Sequence, residues 1–288
     1  MTHSEAVSRA AAKLAGAGFA CVDAEADASV LARHILKWDL AHWLGHMRDQ
    51  ADPSFLEPFD RAIARRTVNE PVAYITGERE FYGRAFRVNS AVLIPRPETE
   101  LIVEETLKLF SPGTLKHRNP DPLRIADIGT GSGCLAITLA LEMPNVRVEA
   151  TDISQPALGV AQLNATLLGA DRQVEFREGA FFAGSPTLFD VIVSNPPYVA
   201  ETDRATLQTD VVNFEPPTAL FAGDDGLACI RELVERAPEH LKPGGRLIFE
   251  FGFGQAGAID TLIRSSRLIF VAMHNDLQGI PRIAVATL

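Results

Sequence analysis

Strand-like and helix-like stretches alternate through the second half of the chain, between residues 124 and 287. The strand patterns cover residues 124–128, 146–151, 174–177, 189–194, 246–251, 268–274 and 282–287. Helical patterns cover residues 133–142, 155–168, 226–241 and 255–265. This alternation predicts a doubly wound, mostly parallel, seven-stranded α/β sheet with helices on both faces. No helical pattern separates the last two strands, so we expect an antiparallel hairpin to complete the sheet.

The first 70 residues follow a different pattern, because their apolar residues recur at helical spacing, as at Val7 and Leu14. This spacing predicts a small all-helical domain at residues 1–70. Residues 71–95 contain short aromatic and β-branched stretches around two glycines, a pattern typical of a hairpin. We therefore predict a hairpin linker at residues 71–95 and the α/β domain at residues 96–288.

Prolines and acidic residues predict several helix ends. We expect Asp23 to cap the second helix and Pro53 to open the last helix of the first domain. Pro97 should start a helix that ends near residue 110. Residues 111–123 contain three prolines, a glycine and several polar side chains, a composition that predicts an exposed loop.

Charge and cysteine content restrict the partners and the compartment. The 288 residues include 27 Lys and Arg against 37 Asp and Glu, so the formal net charge is −10, which disfavours direct binding of nucleic acid. The three cysteines form no CxxC pair, and His42 and His46 lack the glutamate of an HExxH motif. We therefore predict a cytoplasmic protein with no metal site. No apolar run is long enough to indicate a membrane span.

A glycine-rich turn follows the first strand of the predicted sheet. Its residues are Gly129, Thr130, Gly131, Ser132 and Gly133. Such a turn lets a ligand approach the backbone at the start of a helix. The dinucleotide fingerprint GxGxxG would need a further glycine at residue 134, where this chain has a cysteine, and no P-loop lysine follows. A tight turn that binds no ligand is the alternative interpretation.

Two more polar features follow the second and fourth strands. Asp152 comes 23 residues after Gly129, where a carboxylate can accept both hydroxyls of a ribose, although it could instead cap the next helix, a role that Ser154 could also fill. Residues 194–198 read Ser-Asn-Pro-Pro-Tyr; the two prolines stiffen this turn and leave carbonyls and the Asn195 side chain as acceptors. The carboxyl ends of parallel strands share one edge of a sheet, so we expect all three features to meet there.

This set resembles the class I S-adenosylmethionine-dependent methyltransferases that modify planar nitrogen. Further segments resemble, more specifically, the release factor glutamine N5-methyltransferases. They are PVAYITG at 71–77, LIPRPETE at 93–100, NPPY at 195–198, EPPTAL at 215–220 and GIPR at 279–282. The resemblance runs along nearly the whole chain. It implies a Rossmann-like catalytic domain at residues 96–288, a substrate-recognition role for residues 1–70, and methyl transfer to the glutamine of the Gly-Gly-Gln motif in class 1 peptide chain release factors.

The resemblance and the chemistry together assign roles to individual residues. Asn195, Pro196 and Tyr198 are predicted to be catalytic, and with Pro197 they would bind the substrate amide. The residues predicted to bind S-adenosylmethionine, whose product is S-adenosylhomocysteine, are Gly129, Thr130, Gly131, Ser132, Gly133, Asp152, Phe181 and Asn195. Family members often carry an aspartate where this chain has Ala180, so an acceptor for the adenine amino group is missing, while Phe181 can still pack on the adenine face or fill the core.

Other functions stay open at this stage. A ribosomal-protein glutamine methyltransferase is a close relative, although residues 97–100 look more like the release factor branch. An adenine N6 methyltransferase of DNA or RNA faces the same chemical problem, and the negative charge counts against it. A non-catalytic docking protein that keeps the ligand-binding fold is the alternative from a different class. We expect a monomer whose protein substrate is a release factor.

An acidic stretch follows the Asn-Pro-Pro-Tyr motif. Between residues 200 and 225 there are six acidic residues and one basic residue. The acidic residues are Glu201, Asp203, Asp210, Glu215, Asp224 and Asp225. Together they predict a negative potential that steers a basic protein surface toward the site.

Overall fold

The computed structural model describes residues 1–110 and 121–288, in two compact units. One unit comprises residues 1–78 with 208–214, and the other comprises residues 79–207 with 215–288. The loop predicted at residues 111–123 therefore lies mostly outside the described residues. Across the described parts of the chain, no helix is long and apolar enough to cross a membrane.

The first unit is helical, as the apolar spacing predicts. Its helices are α1 His3–Gly16, α2 Cys21–Leu36, α3 Leu40–His46, α4 Pro53–Thr67 and α5 Val72–Thr76, together with the short helix Thr209–Phe214. Leu14, Leu31 and Phe59 are fully buried in its core. Pro53 opens α4 as predicted. The expected cap at Asp23 is wrong, because α2 begins two residues earlier and places Asp23 within its first turn.

The second unit contains a two-stranded hairpin and a seven-stranded sheet. The hairpin strands are β1 Glu78–Phe81, which starts at the boundary of the units, and β2 Arg84–Arg87. The sheet strands are β3 Leu123–Ile128, β4 Val146–Asp152, β5 Val174–Glu178, β6 Phe189–Ser194, β7 Leu241–Glu250, β8 Ile269–Asn275 and β9 Pro281–Thr287. Its main helices are α6 Glu100–Leu109, α7 Cys134–Glu142, α8 Gln155–Leu168, α10 Ala228–His240 and α11 Ala256–Arg264; the helix Thr209–Phe214 of the first unit is α9.

The strand order is β5-β4-β3-β6-β7-β9-β8, with β3 to β7 parallel and β9 antiparallel to both β7 and β8. This confirms the predicted sheet and its closing hairpin. Helices cover both faces of the sheet. Neighbouring residues of β6 are therefore buried in different apolar clusters, Val191 in one and Ile192 in the other. The sheet is therefore buried on both sides, as parallel sheets are.

The position of β3 determines where a ligand can bind. β3 lies between β4 and β6, so the chain winds outward from it in both directions and leaves a crevice beyond the carboxyl ends of these strands. Ile128 of β3 is in register with Thr151 of β4 and with Ser194 of β6. The residues that follow, Gly129, Asp152 and Asn195, therefore emerge at the same level.

Candidate active site

A cavity of about 300 Å³ opens at this edge of the sheet. Most of the predicted site residues line it: Gly129, Thr130, Gly131, Ser132, Asp152, Phe181, Asn195, Pro196 and Pro197. Gly133 and Tyr198 do not belong to the lining. The structure thus brings the glycine turn, Asp152 and most of the Asn-Pro-Pro-Tyr motif around one space.

Backbone hydrogen bonds hold the glycine turn against β4. The amides of Gly129 and Thr130 both donate to the Thr151 carbonyl at 2.9 Å, and the amide of Gly131 donates to Asp152 Oδ2 at 2.9 Å. Gly129 and Gly131 have φ values of 73° and 55°, in the left-handed region that glycine adopts without strain. These hydrogen bonds and φ values together fix the conformation of the turn.

Gly133 serves helix packing instead of lining the cavity. A Cβ at this position would lie 2.7 Å from Ile137 Cδ1 and 3.2 Å from the Cβ of Ala161 in α8. Only a residue without a side chain allows the start of α7 to approach α8 this closely. Gly133 therefore has a packing role in the structure, and its contact with the cofactor stays a prediction.

Asp152 has both carboxylate oxygens in hydrogen bonds to the backbone. Oδ2 accepts from Gly131, and Oδ1 accepts from the amide of Ser154 at 2.9 Å. The cap of α8 is Ser154, whose hydroxyl oxygen accepts from the amide of Ala157. Ser154 therefore fills the helix-capping role that was the alternative for Asp152. Asp152 itself lies in the cavity wall.

Asp127 is a site residue that sequence reasoning left without a role. Its Oδ2 accepts from Thr130 Oγ1 at 2.6 Å and from the amide of Ala136 at 3.1 Å. Its Oδ1 is buried and has no hydrogen-bond partner among the described residues. Burial raises the pKa of Asp127 to about 7. The available sequence signal was a carboxylate inside an apolar strand, two residues before the first glycine of the turn.

We expect the raised pKa of Asp127 to make folding stability decline between pH 3.8 and about pH 7. In this range the folded state holds a proton that the unfolded chain has lost, so each rise in pH favours unfolding. Urea unfolding at pH values on either side of the range would measure the decline, and it should be clearly smaller in Asp127→Asn, where the raised pKa of Glu250 still contributes. The same decline in the variant would contradict the assignment.

Asn195 belongs to a buried chain of hydrogen bonds. Its Nδ2 donates to Thr99 Oγ1 at 2.9 Å, and Thr99 Oγ1 donates to Glu250 Oε2 at 2.6 Å. The Tyr198 hydroxyl donates to Glu250 Oε1 at 2.9 Å. Thr99 and Glu250 are each 1% exposed, and burial raises the pKa of Glu250 and of the Tyr198 phenol. Neither Thr99 nor Glu250 was predicted to belong to the site.

Tyr198 is anchored by neighbouring residues, and its role in catalysis and in binding the substrate amide stays a prediction. Besides its bond to Glu250, its carbonyl accepts from Gln255 Nε2 at 2.9 Å. Gly226 passes directly beneath this carbonyl, because a Cβ on Gly226 would lie 2.3 Å from it. These contacts fix the end of the motif in the protein interior and leave Asn195, Pro196 and Pro197 at the cavity.

Phe181 and Ala180 form another part of the cavity wall. Phe181 has a φ of 49°, and its carbonyl accepts a hydrogen bond from the Thr151 hydroxyl, which holds this uncommon conformation. The Arg236 guanidinium lies 5.2 Å from the centre of its ring. Phe181 thus contributes to the cavity wall, while Ala180 brings no polar side-chain atom.

Two further segments of the cavity are joined by Glu215. This buried carboxylate accepts from the amide of Ile94 at 3.1 Å and from Arg96 Nη2 at 2.6 Å. It therefore ties the segment that contains LIPRPETE to the segment that contains EPPTAL. Pro95 of the first and Pro216 of the second both line the cavity.

Comparison with known proteins agrees with this architecture. Residues 5–77 match the family described as PrmC N-terminal domain, and residues 113–214 match the methyltransferase small domain. The release factor glutamine methyltransferase of Cereibacter sphaeroides is 39% identical over 100% of this chain and 99% of its own length. That of Neisseria gonorrhoeae is 42% identical over 90% of this chain and 92% of its own length.

Among solved structures, the hMettl16 catalytic domain in complex with MAT2A 3'UTR hairpin 1 aligns with a TM-score of 0.56 at 16% identity, over 80% of each chain. This likeness concerns the fold alone. The seven-stranded sheet with its glycine turn defines a Rossmann-like, S-adenosylmethionine-dependent methyltransferase. Within this class, the chain belongs to the release factor glutamine methyltransferase family.

Proposed function

We propose that this protein transfers a methyl group from S-adenosylmethionine to the side-chain amide nitrogen (N5) of the glutamine in the Gly-Gly-Gln motif of class 1 peptide chain release factors. The full-length similarity to relatives of that name supports this proposal. The observation that carries it is the position of the Asn195 side-chain amide at the cavity. Its nitrogen donates a hydrogen bond to Thr99, and its oxygen has no hydrogen-bond partner among the described residues. That oxygen is an acceptor for an amide hydrogen.

The lining residues fit S-adenosylmethionine by their chemistry. Asp152 offers carboxylate oxygens for ribose hydroxyls, and Phe181 offers an aromatic face for adenine. Asp127 supplies a buried oxygen that lacks a partner among the described residues, as a ligand with an ammonium group requires. The glycine turn leaves room for the ligand beside the backbone. We propose that these residues, with Thr130 and Ser132, hold the cofactor.

The reaction requires orientation more than acid–base chemistry. S-adenosylmethionine supplies a methyl group on a positively charged sulfur, which is a strong electrophile. An amide nitrogen is a weak nucleophile, because its lone pair is delocalised into the carbonyl. Asn195 Oδ1 and the Pro196 carbonyl can each accept one amide hydrogen, which holds the nitrogen toward the methyl group and stabilises its developing positive charge.

The proton balance needs no general base in the site. Transfer would form the bond between the substrate nitrogen and the methyl carbon while the carbon–sulfur bond breaks and its electron pair stays on sulfur. The methylated nitrogen would then be positively charged and would release one amide proton to water. Pro196 and Pro197 have no backbone N–H, so the turn presents no competing donor at the place where the amide hydrogens must be accepted.

The parts of the chain divide the work in this proposal. We propose that the helical segment at residues 1–70 recognises the release factor, that residues 71–95 form a linker which also contributes Pro95 to the cavity, and that residues 96–288, apart from 208–214, form the catalytic domain. The protein acts as a monomer in the cytoplasm, where its protein substrate works. The net charge of −10 supports a protein substrate over nucleic acid.

A substrate panel tests the proposed function. The protein is incubated with S-adenosylmethionine labelled in its methyl group and, separately, with a release factor, a ribosomal protein and DNA. We expect label on the release factor alone. Label on the ribosomal protein would point to the neighbouring branch of the family, label on DNA would establish the adenine methyltransferase, and binding without transfer would establish a docking protein.

The structure reduces the number of acidic residues that can contribute to the predicted steering, because several of them lie beside arginines. Glu201 pairs with Arg204, Asp225 with Arg231 and Glu215 with Arg96, while Asp210 lies 3.8 Å from Arg66 within the helical unit. The exposed carboxylates of Asp203 and Asp224 have no ion pair among the described residues. These two therefore carry most of the field that we expect to attract a basic protein surface.

We expect the double variant Asp203→Asn with Asp224→Asn to associate with the release factor more slowly at low salt. The difference from the parent should shrink at high salt, because the Debye length falls from about 10 Å at 0.1 M to about 3 Å at 1 M. Stopped-flow association rates measure both effects. A control with Glu235→Gln and Glu239→Gln on α10 has the same net charge, and an equal slowing in the control would contradict local steering.

A further inference from the structure

We propose that Glu250 is a positioning residue that fixes which way the Asn195 side-chain amide faces, acting through Thr99. This inference rests on the proposed function, since it assigns a purpose to the free oxygen of Asn195. Glu250 does not line the cavity, so it acts on the reaction only through the residues that it holds. The residues that it holds are Thr99 and Tyr198, which both donate hydrogen bonds to its carboxylate.

The sheet places Glu250 beside the catalytic motif. Ser194 at the end of β6 is in register with Phe249 of β7, so Asn195 and Glu250 follow next on neighbouring strands. Thr99 reaches the same place from the short 3₁₀ turn Pro97–Thr99. A carboxylate that is 1% exposed costs stability unless its oxygens are hydrogen-bonded, and both oxygens of Glu250 are.

The direction of each hydrogen bond follows from the number of donors. While Glu250 is ionised its carboxylate only accepts hydrogen bonds, so the single hydroxyl hydrogen of Thr99 points to Glu250 Oε2. Thr99 Oγ1 can then only accept from Asn195, and the group that donates must be the NH₂ of the amide. The amide nitrogen is therefore held at Thr99, and Oδ1 is the atom turned away from it.

Without this chain, the Asn195 amide could rotate by half a turn. Its NH₂ would then face the substrate, and an N–H donor would meet the N–H donors of the glutamine amide. The two carboxylate oxygens of Glu250 also hold both ends of the motif, because Oε2 acts on Asn195 through Thr99 and Oε1 accepts directly from Tyr198. One buried side chain thus fixes the orientation of the acceptor and the position of the turn.

Glu250→Gln tests the polarity of the chain with little change in volume. Glutamine has one acceptor oxygen and one NH₂, so either Thr99 or Tyr198 then meets a donor. We expect kcat to fall by about 10- to 100-fold, the range expected when a group at the reacting centre is misplaced. The KM for S-adenosylmethionine should change less than threefold. Glu149→Gln is the matched control, because Glu149 is a buried glutamate of β4 outside the cavity.

Thr99 provides a second pair of variants. Thr99→Val keeps the shape and removes the hydroxyl, so we expect a loss of kcat similar to that in Glu250→Gln. Thr99→Ser restores the hydroxyl and should recover most of the lost kcat. Thermal unfolding of each variant identifies any loss that comes from instability. A kcat of Glu250→Gln within twofold of the parent, or equal losses in Thr99→Val and Thr99→Ser, would overturn the proposal.

A measurement without substrate separates this inference from the proposed function. Hydrogen exchange of the Asn195 side-chain NH₂, followed by NMR on protein with ¹⁵N-labelled asparagine, reports the bond to Thr99 directly. We expect exchange to be slow in the parent and at least tenfold faster in Glu250→Gln and Thr99→Val. If it is, the network stands even where no release factor is methylated. Unchanged exchange in both variants would overturn the network while leaving methyl transfer to be judged by its own assay.

Discussion

Asn195→Ala is expected to lower kcat by roughly 10²- to 10³-fold, the loss typical of removing one preorganised polar group that acts on the transition state. The substitution removes the side-chain oxygen that accepts one amide hydrogen and leaves the Pro196 carbonyl to hold the nucleophile alone. It also ends the hydrogen bond from Nδ2 to Thr99. Single-turnover kinetics with saturating S-adenosylmethionine measures the effect on chemistry.

The affinity of Asn195→Ala for S-adenosylmethionine should stay within about threefold of the parent, because Asp127, Asp152 and the glycine turn remain unchanged. Titration calorimetry on the same preparation provides this comparison. Near-normal single-turnover chemistry would remove Asn195 from the centre of the mechanism. A loss confined to cofactor affinity would assign it to binding alone.

Asp152→Ala is expected to act on cofactor affinity instead. Loss of charged hydrogen bonds to a ribose costs about 1.5 to 3 kcal/mol, which corresponds to a dissociation constant higher by roughly 10- to 150-fold. The carboxylate also holds the amides of Gly131 and Ser154, so the turn loses part of its support. Titration calorimetry with S-adenosylmethionine measures the change, and kcat at saturation should fall much less.

Thermal unfolding distinguishes the ribose role of Asp152 from helix capping. Ser154 caps α8, so any stability lost in Asp152→Ala comes from the bonds to the Gly131 and Ser154 amides and not from a lost helix cap. A variant with unchanged affinity and a clearly lower unfolding temperature would show that the carboxylate only stabilises the fold. A variant with both properties unchanged would remove Asp152 from the site.

Local patterns in the sequence predict most of the architecture. Strands and helices of the sheet have strong apolar periodicity, and the structure confirms all seven strands within a few residues, apart from the earlier start of β7 at Leu241. Gly129, Asp152 and Asn195 follow strands directly, so a parallel sheet brings them together at one edge. Sequence order and sheet geometry are sufficient for that prediction.

The supporting residues could not be found in the same way. Thr99 is 96 residues from Asn195, and Tyr198 is 52 residues from Glu250, so only the order of the folded strands brings these groups together. Thr99 lies within LIPRPETE at 93–100, but that motif by itself indicates no role for it, and Glu250 lies in none of the motifs. A glutamate at the end of the apolar run in β7 was a signal, and its meaning depends on knowing that β7 lies beside β6.

Gly133 and Tyr198 show that a residue within a binding motif need not line the cavity. Gly133 and Tyr198 stand within sequences that form the cavity, yet the structure uses them to pack α7 against α8 and to anchor the turn. All residues of a short motif are equally close to the site in sequence, so their order alone does not show which of them line the cavity. Which side chains face the cavity depends on φ and on neighbouring elements, as at Phe181 with its positive φ.

Tandem mass spectrometry of a release factor after incubation with the protein and S-adenosylmethionine tests the central claim most directly. The account predicts one added methyl group on the side-chain nitrogen of the Gly-Gly-Gln glutamine with the parent protein, and its loss with Asn195→Ala at equal concentration and time. Methyl groups on another residue, or an unmodified glutamine after many equivalents of the parent protein, would contradict it.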